Sequence, residues 1–281
     1  MSEEEFKSSP IYLVPIFGSL LVSIACASLV LVSEVSVDPV LILPESGYGP
    51  LLNGVIFVIA AGSGATLIYL LLKHGVYRFV RALMGFAISV LTFSLVVFYS
   101  ELVVVVLESI AQVELGVPIA GVIILATLAT VFVTVQVVWM KGRFCEVIVL
   151  VFGGATGALL GAYIPLLSAV FILALLAVYD VVAVFRGPVG KIAAKGLEHL
   201  PGASFAFRDI HIGLGDITFY SMLVSRVFLS FGLVACIFAT FGVLVGSYLS
   251  FKMVEKKGMF PGLPFSIFLG LLTGFVASLL G

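Results

Sequence analysis

The chain has 281 residues, 62% of them hydrophobic and only 10% charged, and its mean hydropathy of +1.31 is far outside the range of a soluble domain. A formal net charge of −1 with no clustered basic face argues against binding of nucleic acid. Cys26, Cys145 and Cys236 form no CxxC pair and have no histidine nearby, which argues against a disulfide framework and against a metal site. The fold class that remains is an all-α integral membrane protein.

The first apolar run, Ile11 to Val32, is too long for a signal-peptide core and follows a flank with three glutamates and one lysine. Ala25, Cys26 and Ala27 mimic a cleavage site, but the segment reads as a retained helix. A crossing takes about 20 apolar residues, and nine stretches qualify: 11–32, 51–73, 82–107, 117–140, 144–163, 165–185, 213–229, 231–251 and 260–280. Two of these divisions cut longer apolar runs, one at Pro165 and one around Arg226. Placing the N-terminus in the cytoplasm puts 13 of the 14 basic residues inside and leaves only Arg226 outside, the bias that fixes orientation in membranes. Nine transmembrane helices then place the C-terminus outside. The chain is expected to be one polytopic domain over 1–281, with helices one to five over about 11–163, helices six to nine over about 164–281, and a cytoplasmic connection at 186–212. Within that connection, "GKIAAKGLEHL" reads as a short interfacial helix, and the alternation from Phe205 to Ile212 as a short strand.

Two acids fall inside apolar runs, Asp180 in "LLAVYDVVAVF" and Asp216 in "IHIGLGDITFYSML". A carboxylate in hydrocarbon is costly and marks a functional site by default. Asp180 precedes Arg186 by six residues, which puts it about 9 Å inside the cytoplasmic end of its helix. Asp216 enters from the same face, eight residues after Arg208, so the two acids lie at similar depth and can meet. Two close carboxylates in a low-dielectric site cannot both ionise cheaply, so they are expected to share a proton and titrate as one pair. Such a pair suits general acid and base work on water, a proton or cation relay in a carrier, or a structural hydrogen bond. Gly213 and Gly215 clear space beside Asp216. Pro261 and Pro264 remove two amide hydrogens from "FPGLPFSIFLG", although a proline start is also ordinary for a helix.

Three motifs now stand in order: "YDVVAVF" at 179–185, "GLGDITFYSMLVS" at 213–225 and "PGLPFSI" at 261–267. Together they resemble the YD, GxGD and PAL segments of the presenilins, intramembrane aspartyl proteases. The resemblance covers the chain from about Ile164 onward; the inside N-terminus and the second proline favour presenilins over the oppositely oriented signal peptide peptidases. It implies Asp180 and Asp216 as the catalytic pair. It also implies Tyr179, Gly213, Leu214, Gly215, Pro261, Gly262, Leu263 and Pro264 as residues that shape the site or receive substrate. No metal or cofactor is implied. The implied partners are substrates with transmembrane helices and the lipid bilayer, with homo-oligomers and accessory subunits left open, and a prokaryotic plasma membrane as the expected location. Two features depart from the family pattern: Gly262 stands where alanine is usual, and the loop between the acids is short. The alternating run before the GxGD segment also suggests a strand to which an unwound substrate adds.

Other features carry ordinary readings. Gly153, Gly157 and Gly161 recur every four residues, as in close helix packing. His74, His199 and His211 lack ligand spacing. Trp139 and Lys141 suit an interfacial anchor, and Glu101 and Glu108 the outer surface. The carrier using the same acids is the main alternative function, and a scaffold the third.

Overall fold

The computed structural model describes residues 7–40, 42–113, 116–139, 143–186, 204–207 and 210–280. A backbone in hydrocarbon must satisfy its own polar groups, and the apolar runs do so as helices. A 3-10 turn at Pro10–Tyr12 leads into α1 (Leu13–Ser33), followed by α2 (Gly49–Lys73), α3 (Tyr77–Ala111), α4 (Ile119–Trp139), α5 (Arg143–Tyr163) and α6 (Leu166–Phe185). A two-stranded antiparallel sheet, β1 (Ser204–Phe207) and β2 (Ile210–Gly213), precedes α7 (Leu214–Lys257) and α8 (Leu263–Ser278). Among the described residues, seven helices, α1 to α7, are long and apolar enough to cross a membrane; α8, with 16 residues, is shorter. The structure is thus an all-helical membrane bundle apart from one small sheet.

The break at Pro165 falls where the sequence puts it, since Pro165 sits as the extended residue ahead of α6. The division expected around Arg226 falls elsewhere. α7 runs unbroken through Arg226 and turns at Gly232, whose φ of 80° and ψ of −171° leave the helix. At 1.5 Å per residue a straight α7 would be about 66 Å long, twice the hydrocarbon. Instead its arms, 214–231 and 233–257, fold back together. Gly270 of α8 faces Leu223 on the first arm and Val243 on the second, and Gly274 faces Val227 and Ala239. One turn along α8 therefore advances four residues on one arm and retreats four on the other, so the arms are antiparallel and α8 lies against both.

Arg226 is accordingly a half-buried helix residue rather than part of a loop. Its guanidinium donates to the carbonyls of Gly161 and Ile164 at 3.2 and 3.3 Å and to Ser230 at 2.9 Å. It closes the frayed end of α5, whose last carbonyls have no helical partner. The single strand expected over 205–212 is a hairpin, with Phe205 opposite Ile212 and Phe207 opposite Ile210. The interfacial helix expected at 190–200 lies outside the described residues.

The packed interior combines apolar side chains such as Ile16, Leu20, Ile172 and Met222 with small polar ones, while many further large apolar side chains face outward. Ser19, Ser23, Ser221 and Ser225 are fully buried, whereas Ile124, Leu128, Phe86 and Phe238 are exposed. This is the arrangement expected where lipid is as apolar as leucine and helices associate by close approach. α5 shows it directly: a Cβ on Gly157 would lie 2.5 Å from the Thr218 carbonyl oxygen, and one on Gly154 2.5 Å from that of Ser19. The glycine stripe thus seats α5 between α1 and the first arm of α7. Ser23 Oγ donates to the Ser221 carbonyl at 2.9 Å, tying α1 to the same arm.

Candidate active site

Asp216 stands in the first turn of α7, immediately after the hairpin ends. Gly213, the last residue of β2, is also the N-cap of α7 with an extended φ of −70° and ψ of 136°. The Asp216 carboxylate folds back over it, for a Cβ on Gly213 would lie 3.3 Å from Asp216 Oδ2. Asp180 projects from the last turns of α6. Both acids are half-buried.

The third part is the start of α8. Pro261 and Gly262 precede it, Gly262 is its N-cap, and Pro264 occupies its first turn. Helix starts leave amides without partners, and here one meets an acid: the Leu263 N–H donates to Asp180 Oδ2 at 3.0 Å. The other side of Gly262 faces Asp216. A Cβ at Gly262 would stand 2.9 Å from Asp216 Oδ2 and 3.2 Å from its Cγ. One dipeptide between two prolines therefore touches both carboxylates, and it does so with backbone because Gly262 has no side chain to intervene.

Of the residues singled out by sequence, the structure brings together Asp180, Asp216, Gly213, Gly262 and Leu263. Pro261 is buried and Pro264 half-buried beside them. Tyr179 points its ring at α2, where a Cβ on Gly62 would lie 3.2 Å from Cε2, and its buried hydroxyl has no hydrogen-bond partner among the described residues. Leu214 packs toward Gly153 of α5, and Gly215 is exposed with no neighbour closer than Phe219 at 3.9 Å from a built Cβ. His211 contributes its backbone to β2, and His199 lies outside the described residues.

Sequence reasoning passed over a group of hydroxyls behind this dipeptide. Tyr220, Ser250 and Ser266 all donate to the Gly262 carbonyl, at 2.9, 3.3 and 3.3 Å. Ser247 bonds Ser266 at 3.0 Å. Tyr220 had a signal: it stands one helical turn after Asp216, and residues four apart share a face. The serines of α7's second arm had none, because only the fold at Gly232 brings them to the site.

No protein-family model matches the chain. Presenilin-B from Dictyostelium discoideum is 31% identical over 156 residues, covering 51% of this chain; the match spans about a third (32%) of that protein's length. Two solved structures of a presenilin-family intramembrane aspartate protease, in space groups C222 and P2, superpose with TM-scores of 0.65 and 0.63. Each is 20% identical; the first alignment covers 96% of this chain and 99% of that one, the second 95% and 96%. Sequence and fold lead to the same place: the chain is similar in sequence to a presenilin over about half of its own length, and it is a multi-pass membrane protein with the fold of the presenilin-family intramembrane aspartate proteases.

Proposed function

We propose that the chain is an aspartic endopeptidase of the GxGD type that hydrolyses peptide bonds within transmembrane helices of other membrane proteins, using Asp180 and Asp216. The observation that carries this reading is the Gly262–Leu263 dipeptide, whose backbone lies against both intramembrane acids. A site that holds a peptide backbone between two carboxylates suits peptide hydrolysis. One carboxylate, ionised, takes a proton from water as the oxygen attacks the scissile carbonyl; the other, protonated, polarises that carbonyl, and a proton then passes to the departing amine.

Nine crossings, with the N-terminus inside and the C-terminus outside, belong to the same proposal. The antiparallel arms of α7 supply two of them and α8 the last, and 13 of 14 basic residues then face the cytoplasm. The hairpin adds a docking edge: a substrate unwound near the acids can pair with it as a further strand. On this view Phe207→Pro or Ile210→Pro lowers cleavage more than alanine does at the same position. Equal rates for the two substitutions would remove the strand-addition step.

The test is cleavage of single-span peptides by purified protein in liposomes, with products identified by mass. Cuts within the span by the parent, and by neither Asp180→Ala nor Asp216→Ala, are the expected result. A folded parent that cuts no member of a varied panel overturns the reading. Ion flux through the same liposomes that both substitutions stop would then establish the carrier.

A further inference from the structure

The mutual placement of the two acids depends on something that binds both, and the acids sit on separate helices. Asp216 rides on the first arm of α7, Asp180 on α6, and the start of α8 lies against both. That start is a poor anchor by itself. Pro261 and Pro264 remove amide donors on either side, and Gly262 has no side chain with which to pack. Its fixed point is the Gly262 carbonyl, which three hydroxyls approach.

The three are not equivalent. A carbonyl oxygen has two lone pairs. Ser266 is four residues after Gly262, so its 3.3 Å contact is a bond within α8's own first turn, and Ser250 reaches from the second arm of α7 at the same length. Tyr220 alone of the three reaches from the arm of α7 that carries Asp216, and its bond, at 2.9 Å, is the short one. Tyr220 is buried to 2% exposure, which leaves its ring little freedom to move. A continuous path results: from Asp216 along one turn of α7 to Tyr220, across the hydroxyl to the Gly262 carbonyl, over that same planar peptide group to the Leu263 amide, and across that to Asp180.

We propose that Tyr220 is a positioning residue: by holding the Gly262 carbonyl it sets the dipeptide that fixes Asp180 relative to Asp216. The proposal rests on the proteolytic reading for its kinetic consequence and on the hydrogen bonds alone for its structural one. Removing the hydroxyl leaves the carbonyl two longer donors, so the fold persists while the dipeptide loosens.

The experiment is Tyr220→Phe, compared with the parent in two measurements. In the cleavage assay kcat is expected to fall ~10- to 100-fold, since small misplacements of catalytic groups have costs of that order, while KM stays within ~2-fold because substrate contacts are untouched. In hydrogen exchange followed by mass spectrometry, a peptide over 259–265 carries, after its first residue, only the amides of Phe260, Gly262, Leu263 and Phe265, because Pro261 and Pro264 have none. Its exchange is expected to quicken by ~10-fold or more as that local structure opens. Unchanged kcat, unchanged exchange, or a rise in KM alone would overturn the proposal. A parent that cleaves nothing defeats the protease reading, yet the exchange comparison still decides whether Tyr220 holds the dipeptide. Should the phenylalanine variant not fold, 3-fluorotyrosine at position 220 keeps the ring and hydroxyl and changes donor strength; unchanged exchange there overturns the proposal as well.

Discussion

Gly262 shows how much one missing methyl decides. A Cβ there would lie 2.9 Å from Asp216 Oδ2, closer than real Cβ atoms come to anything, and the atom in its way is the end of a side chain rather than backbone. Gly262→Ala should therefore fold but displace an acid, lowering kcat ~10-fold with little change in melting temperature; an unaltered rate would show that the close approach does not matter. Tyr179 gives the opposite case. Its buried hydroxyl lacks a partner among the described residues, and an unsatisfied buried group costs about 1–3 kcal/mol. Tyr179→Phe should melt no lower than the parent, and a raised KM in that variant would assign the hydroxyl to substrate. Asp180, Asp216 and the prolines at 261 and 264 were legible in the sequence because charge and missing amides stand out in an apolar run. Arg226 was misplaced because a count of charges registers only its sign. Its five donors let it remain within a helix by binding the open carbonyls of α5.

Elements in this bundle meet through backbone, so glycine position predicts tolerance. At Gly157 a Cβ would meet the Thr218 oxygen at 2.5 Å and the Met222 nitrogen at 2.8 Å, and backbone atoms cannot step aside; at Gly64 it would meet nothing within 4 Å. Gly157→Ala should lose about 1–3 kcal/mol through overpacking, whereas Gly64→Ala should gain up to about 1 kcal/mol from helix propensity. Thermal melts in one detergent compare the pair, and equal melting temperatures would contradict the α5–α7 contact. Gly232 is different in kind: nothing surrounds it, but its φ of 80° with ψ of −171° is a region essentially reserved to glycine. Its place as the turn was hidden, because "SFG" lies within an apolar run that hydropathy reads as continuous. The hairpin was half legible for a related reason: alternation reports extended backbone, while the reversal between Phe207 and Ile210 needs knowledge of pairing.

At the scale of the molecule, the nine-crossing proposal makes Lys7 and the β-hairpin cytoplasmic and Leu280 external. Single cysteines placed at 7 and 280 of a chain lacking its native thiols should react with a membrane-impermeant reagent from opposite sides of sealed vesicles; labelling from one side would rule out the odd number of crossings. The acids belong to one shared site, so kcat against pH should be bell-shaped, with both limbs properties of the pair. A flat profile would separate them. The long apolar helices were legible from length and hydropathy, but the meeting of α6, α7 and α8 was not, because it depends on glycine faces that register no hydropathy. That meeting also has a direction in time. The chain is made from its N-terminus, so α6 and α7 enter the membrane before α8 exists. Until α8 arrives, Asp180 has no Leu263 amide to accept and Asp216 no Gly262 beside it. Chain order thus leaves the two acids without their shared backbone contact during insertion, while the other helices are still unpacked, and α8 is the part that completes the site.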